Sequence, residues 1–243
     1  MTKNLKNVFD DVLFFSKISH ELRTPIHGIR GLSEYLSDNW ETLDDSKKKL
    51  YIEDISMAVS FLGDLVEKLF QLAHLNSNSN INCSFEKTDV VKVVETVVEQ
   101  NNLFILDKNS LHLFSECDDK EIIVHADQFW INQLLSNLIA NAMKHSGAKN
   151  IKVKIDSQKL AHEKKLVISV IDDGLGVPLN DLDTIFDPFK QGSNIDKSLR
   201  GSGLGLTICK EIVTAHGGAI WVKNNDTSGT NISFSLPERA VSL

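Results

Sequence analysis

The 243-residue chain holds only three cysteines, Cys83, Cys117 and Cys209. They are scattered, odd in number and without C-x-x-C spacing, a pattern that excludes a disulfide framework and points to reduced thiols in a cytosolic setting. No apolar run approaches the ~18 residues that a membrane-spanning helix requires, and Met1-Thr2-Lys3-Asn4 does not open a signal peptide. Positive charge is in deficit: 26 Lys and Arg stand against 33 Asp and Glu, a formal net charge of −7, which argues against a general nucleic-acid binder. There are no internal repeats. What remains, 42% hydrophobic and 24% charged residues, is the composition of an ordinary globular protein of one or two domains.

Hydrophobic spacing divides the chain. From about Phe9 to Trp40, Phe15, Ile18, Leu22, Ile29, Leu32 and Leu36 recur with helical period, and from about Ser46 to Leu75 Leu50, Ile55, Leu62, Leu65, Leu69 and Leu72 do so again. The short polar segment between them predicts an antiparallel helical hairpin over residues 1–75. Two helices cannot enclose a core, so the expected solution is a dimeric four-helix bundle. The Asn/Ser run over 76–82 reads as a linker. Residues 83–243 then mix helices, at 89–106, 127–145 and 202–215, with short β-branched strands at 111–114, 122–124, 151–155, 166–171, 219–222 and 232–236. The predicted fold is therefore α plus α/β: a two-helix hairpin followed by a two-layer sandwich of one sheet covered by helices.

Within the first helix, Ser19-His20-Glu21-Leu22-Arg23-Thr24-Pro25 sets a titratable ring beside an acid and one turn before a proline. At about 100° per residue His20 points away from the apolar stripe and Thr24 lies beside it. Pro25 removes a backbone hydrogen bond and is expected to bend the helix just after Thr24. A neutral imidazole is a nucleophile near pH 7, and Glu21 can hold the ring and accept its proton. His27, beside Gly28, reads as a surface or packing residue.

Three later stretches suit a bound nucleotide. In Asn137–Ser146, Asn137, Asn141, Lys144 and His145 share one helix face; amides one turn apart suit a hard cation such as Mg²⁺, and Lys144 suits a phosphate. In Asp172-Asp173-Gly174-Leu175-Gly176 a buried-looking strand ends in an acid suited to an exocyclic amine such as adenine's, with Gly174 and Gly176 permitting close backbone approach. Arg200-Gly201-Ser202-Gly203-Leu204-Gly205-Leu206 precedes a helix whose free N–H groups can hold phosphate oxygens. It is neither a Rossmann fingerprint nor a P-loop, because no strand leads into it and no Gly-Lys-Ser/Thr follows. Between the last two stretches, Phe186-Asp187-Pro188-Phe189 is followed by a polar segment, Lys190–Leu199, that reads as a mobile cover. Lys190 and Lys197 there read as solvated charges, with Arg200 a phosphate contact.

Taken in order, these pieces resemble the sensor histidine kinases of two-component signalling. Ser19–Pro25 is similar to the family's H box, Asn137–His145 to its N box, Asp172–Gly176 and Gly201–Leu206 to its two glycine boxes, and Phe186–Phe189 to its F box. The resemblance implies a dimerisation and phosphotransfer bundle joined to a Bergerat-type ATP-binding domain. It implies His20 as phosphate acceptor with Glu21 as base, and Thr24 as the residue that orients water for dephosphorylating a partner. It further implies Asn141 with Asn137 as the Mg²⁺ site, Asp172 as adenine reader, and Lys144, His145, Gly174, Gly176, Phe189, Arg200, Gly201, Gly203, Leu204, Gly205 and Leu206 around ATP. Ile26-His27-Gly28 departs from the pairs common in the H box, which bears on partner docking rather than on the chemistry.

The expected reaction is transfer of the γ-phosphoryl group of MgATP to His20, then to an aspartate of a response-regulator receiver domain. No receiver-like or sensing domain is recognisable. The expected partners are a second copy of the chain and a response regulator, without nucleic acid; the expected location is the cytoplasm, as the soluble portion of a parent whose attachment to the inner membrane stays open. Three alternatives remain: a clamp ATPase of the same superfold, which would not need His20; a degenerate ATP-binding scaffold; and a phosphatase-dominant form acting through Thr24.

Overall fold

The computed structural model of the chain describes residues 2–76, 83–105, 111–160, 163–192 and 201–237. The chain divides into two compact units, Met1–Phe70 and Gln71–Leu243.

The first unit holds helix α1 (Thr2–Asn39) and all but the last turns of helix α2 (Asp45–Asn76). Asp44 caps α2: its carboxylate accepts the Lys47 N–H at 2.9 Å and the Ser46 hydroxyl, and these bonds pull its pKa down to about 2. Tyr35 and Tyr51 meet edge to face at 5.6 Å, fixing the pairing of the two helices near the loop. Leu36 and Leu65 are buried, whereas Leu13, Phe15, Ile26, Leu50, Met57 and Phe70 stand exposed. Phe15, expected in the apolar stripe, is 65% exposed in the single chain.

The second unit begins with strand β1 (Glu86–Asp89), helix α3 (Val90–Asn102), strands β2 (His112–Glu116) and β3 (Ile123–Ala126), helix α4 (Gln128–His145) and the long hairpin β4 (Asn150–Leu160) and β5 (Glu163–Asp172). Among the described residues a 3-10 turn (Leu179–Asp181), helix α5 (Gly205–Ala215) and the hairpin β6 (Ala219–Asn224) and β7 (Thr230–Pro237) follow. The five-stranded sheet runs β2-β4-β5-β7-β6, with β2 parallel to β4 and the other pairs antiparallel. Such a parallel pair needs a crossover, which α4 supplies. β1 pairs separately with β3.

Burial alternates along β4, whereas the central stretches of β5 and β7 are buried on both faces. Ile151, Val153 and Ile155 of β4, Leu166, Ile168 and Val170 of β5, and Phe234 and Leu236 of β7 are buried. The apolar sides of α3 (Val90, Val94, Val97), α4 (Ile131, Leu134, Leu138) and α5 (Ile208, Ile212) are buried as well, and these helices pack on the sheet and on one another. Asp89 and Asp127 cap α3 and α4 by accepting first-turn N–H groups. β1 escapes the sequence pattern because Glu86-Lys87-Thr88-Asp89 has one buried side chain, Thr88, whose hydroxyl donates to the Ala126 carbonyl. α5 starts at Gly205, three residues later than the periodicity suggests, because Gly203 adopts a φ of +68° that no α-helix tolerates. Among the described residues no helix is long and apolar enough to cross a membrane.

Candidate functional site

On α1, the His20 side chain is 76% exposed and its Nδ1 lies 3.6 Å from Oε1 of Glu21. The Thr24 hydroxyl, one turn on, donates to the His20 carbonyl at 3.2 Å. α1 runs through Pro25 as one helix, so the proline deletes one rung of the ladder without ending the element. A ring this open, with a carboxylate at one nitrogen, leaves Nε2 accessible to an incoming electrophile. His27 is an exposed surface residue.

In the second unit, the sequence stretches that looked separate are brought into contact. Asp172 ends β5, 7% exposed, and its Oδ1 accepts the N–H groups of Gly174 at 2.9 Å and Thr230 at 3.3 Å. Burial pushes its carboxyl pKa up against the pull of those two bonds. Neighbouring Asp173 faces outward and accepts from the backbone of Asn150 and Lys149 and the side chain of Asn150, which lowers its pKa. The two acids thus divide: Asp173 ties β5 to the start of β4, and Asp172 is left to the interior.

The first glycine stretch abuts the end of α4. Leu175 donates its N–H to the Ser146 carbonyl at 2.9 Å, and a Cβ on Gly174 would collide with that same oxygen. Gly176, at φ +77°, packs against Asn224, whose amide clasps Val177 at both backbone groups. On α4, Asn141 faces the start of α5, where a Cβ on Gly205 would lie 3.8 Å from its Nδ2. α5 has Leu204, fully buried, at its N-cap and no side-chain cap, so its first-turn N–H groups are offered to a ligand. Gly203 in turn touches Phe189, which holds φ +61° and donates its N–H to the Gly203 carbonyl at 3.1 Å.

Asn137, one turn before Asn141, has its Nδ2 buried with no hydrogen-bond partner among the described residues. A buried amide left unpaired is costly, and it fits a site completed by a ligand: the NH₂ can donate to a phosphate oxygen, or, turned over, the carbonyl can face a cation. No cluster of three or more His, Cys, Asp or Glu able to hold a metal occurs among the described residues. A divalent cation here would rely on amides and ligand oxygens, as Mg²⁺ commonly does with substrate phosphates.

Lys144 is exposed at the end of α4, while the side chain of His145 lies outside the described residues. So do residues 193–200, which contain Arg200 and most of the polar segment expected to form a cover. Gly201 has open space around it, and Leu206 is half-buried in the first turn of α5. Lys190, read as a solvated charge, instead pairs with buried Asp181 at 3.0 Å. Residues missed by sequence reasoning are Ser146, Asn224, Asn225, Gly229 and Thr230. Asn225 Nδ2 donates to the Asp172 carbonyl at 2.8 Å, and Gly229, at φ +88°, approaches that carbonyl so closely that a Cβ would overlap it. The one available signal was the Ser-Gly-Thr turn ahead of β7.

Residues 11–78 match the family described as the His Kinase A (phospho-acceptor) domain. Residues 126–240 match the histidine kinase-, DNA gyrase B- and HSP90-like ATPases. The chain belongs to the sensor histidine kinases of two-component systems. It is 33% identical over 230 residues to sensor histidine kinase WalK of Bacillus subtilis, covering 92% of this chain and 36% of that protein. It is 35% identical over 224 residues to sensor protein KdpD of Clostridium acetobutylicum, covering 91% of this chain and 24% of that one. Histidine kinase AdeS of Acinetobacter baumannii superposes with a TM-score of 0.68 at 27% identity, over 91% of this chain and 98% of that one. Histidine kinase ThkA, solved in complex with response regulator protein TrrA, gives 0.73 at 26% identity, over 98% of this chain and 64% of that one. The chain spans about a quarter to a third of the length of these two curated relatives. Its second unit has the ATP-binding fold of the family.

Proposed function

We propose that the chain transfers the γ-phosphoryl group of ATP to Nε2 of His20 and passes it on to an aspartate of a response-regulator receiver domain. The observation that carries this reading is the convergence of Asn141, Gly205, Gly203, Phe189, Gly174 and Asp172 around α4 and α5, in a chain whose other unit presents an exposed His20 beside Glu21. In the nucleotide pocket, Asp172 reads the adenine amine, the uncapped start of α5 takes phosphate oxygens, and Lys144, His145 and Arg200 add charge. Asn137 and Asn141 would hold Mg²⁺, which when bound neutralises charge on the phosphates.

At His20, the lone pair of Nε2 forms the new N–P bond while the bond between the γ-phosphorus and the β-bridging oxygen breaks, and ADP leaves. As positive charge develops on the ring, the Glu21 carboxylate takes the Nδ1 proton, which leaves a neutral imidazole ring bearing the phosphoryl group on Nε2. Positioning supplies most of the rate in such a transfer. Thr24, beside His20, orients water for the reverse task of dephosphorylating the regulator; ThkA's complex with TrrA supports a regulator as partner. The exposed Leu13, Phe15, Ile26, Leu50 and Met57 on the hairpin support a homodimer in which a second hairpin covers them. We place this portion in the cytoplasm, with residues 1–75 as the phosphotransfer hairpin, 76–82 as linker and 83–243 as the catalytic domain.

The test is labelling with γ-labelled ATP across a Mg²⁺ titration. Asn141→Ala is expected to reduce label at His20 by at least ~100-fold and to raise the Mg²⁺ needed. Equal labelling by Asn141→Ala and the parent would contradict the assignment.

A further inference from the structure

We infer that Asp181 is a positioning residue for nucleotide binding, acting through its ion pair with Lys190 to hold the Phe189 turn against the start of α5. The inference rests on the nucleotide reading of the pocket.

Asp181 closes the 3-10 turn that follows the first glycine stretch and is 5% exposed. A carboxylate that deep needs a countercharge, and Lys190 supplies it, with Nζ 3.0 Å from Oδ1. Lys190 immediately follows Phe189, whose φ of +61° is rare for a bulky residue and persists only where the surroundings impose it. The surroundings are visible. The Phe189 N–H donates to the Gly203 carbonyl at 3.1 Å, the Lys190 N–H to the Asp187 carbonyl at 3.2 Å, and Gln191 Nε2 to the Gly201 carbonyl at 2.7 Å. Gly203 sits so close that a Cβ would come within 2.8 Å of the Phe189 carbonyl carbon. Gly203 leads through Leu204 to Gly205, the residue that faces Asn141. The Asp181 carboxylate is thus the far anchor of a chain of contacts ending at the uncapped N-terminus of α5. Lys190, held on it, is a strut and not a phosphate ligand.

The two roles for Lys190 predict opposite outcomes for Asp181→Asn. If Lys190 were a phosphate contact, releasing it would leave ATP affinity unchanged or tighten it. As a strut, its release loosens the Phe189–Gly203 contact and weakens binding.

The experiment measures MgATP affinity by calorimetry on the full 243-residue chain, with thermal unfolding of the nucleotide-free protein alongside. Asp181→Asn and Lys190→Gln are each expected to weaken ATP binding roughly tenfold, to leave the unfolding midpoint within about 3 °C of the parent, and Lys190→Arg to retain parental affinity. Unchanged or tighter binding by Asp181→Asn overturns the inference. So does a collapse of the unfolding midpoint in both variants, which would make the pair a fold determinant. A parent chain that binds no ATP would instead refute the nucleotide reading itself.

Discussion

Nδ1 of His20 and Oε1 of Glu21 are 3.6 Å apart on the open side of α1, close enough to attract and a small rotation short of a hydrogen bond. In the proposed transfer the two ring nitrogens take different roles, Nδ1 toward Glu21 and Nε2 toward the phosphate. Glu21→Gln keeps the shape and removes the proton acceptor. The transfer rate is expected to fall about 100-fold with ATP affinity unchanged, read from initial labelling rates and a separate ATP titration.

Asp172 carries a cost in the nucleotide-free protein. Its pKa is raised by burial, so the folded state binds a proton more tightly than the unfolded one. The stability tied to this group is complete below the ordinary aspartate pKa of about 4 and is lost as pH rises through the raised folded value. Both backbone bonds to the side chain go to Oδ1, which an amide oxygen can replace. Asp172→Asn is therefore expected to raise the neutral-pH unfolding midpoint by about 2–4 °C while weakening ATP binding at least ~10-fold. The midpoint gain should shrink toward pH 4, as a pH series of melts would reveal.

His216, 2% exposed at the end of α5, accepts the Asp127 N–H at Nε2 (3.1 Å) and meets the Ile212 carbonyl with Nδ1 (2.8 Å), which places its proton on Nδ1. Asp127 in turn caps α4 and accepts the Ser84 N–H. His216→Leu preserves bulk and strands the buried Asp127 N–H, whereas the Ile212 carbonyl keeps the backbone N–H of residue 216. It is expected to destabilise the second unit by about 1–3 kcal/mol, measured by urea denaturation, with the hairpin's helical signal persisting.

The helices and glycine turns were legible because their signals are local. Period, caps and Gly-rich turns lie within a few residues of the feature they specify. β1 was hidden because an edge strand with one buried side chain leaves no alternation. The Asp172–Thr230 and Asp181–Lys190 contacts were hidden because they depend on which strands and turns become neighbours, and no spacing encodes that. Phe15 was legible as apolar, but its 65% exposure belongs to a surface that a single chain does not cover.

The most direct measurement is acid-labile, alkali-stable label from γ-labelled ATP, compared between the parent chain and His20→Gln under identical Mg²⁺. Label on the parent and none on His20→Gln is the expected result. Equal label on both would contradict transfer to this imidazole.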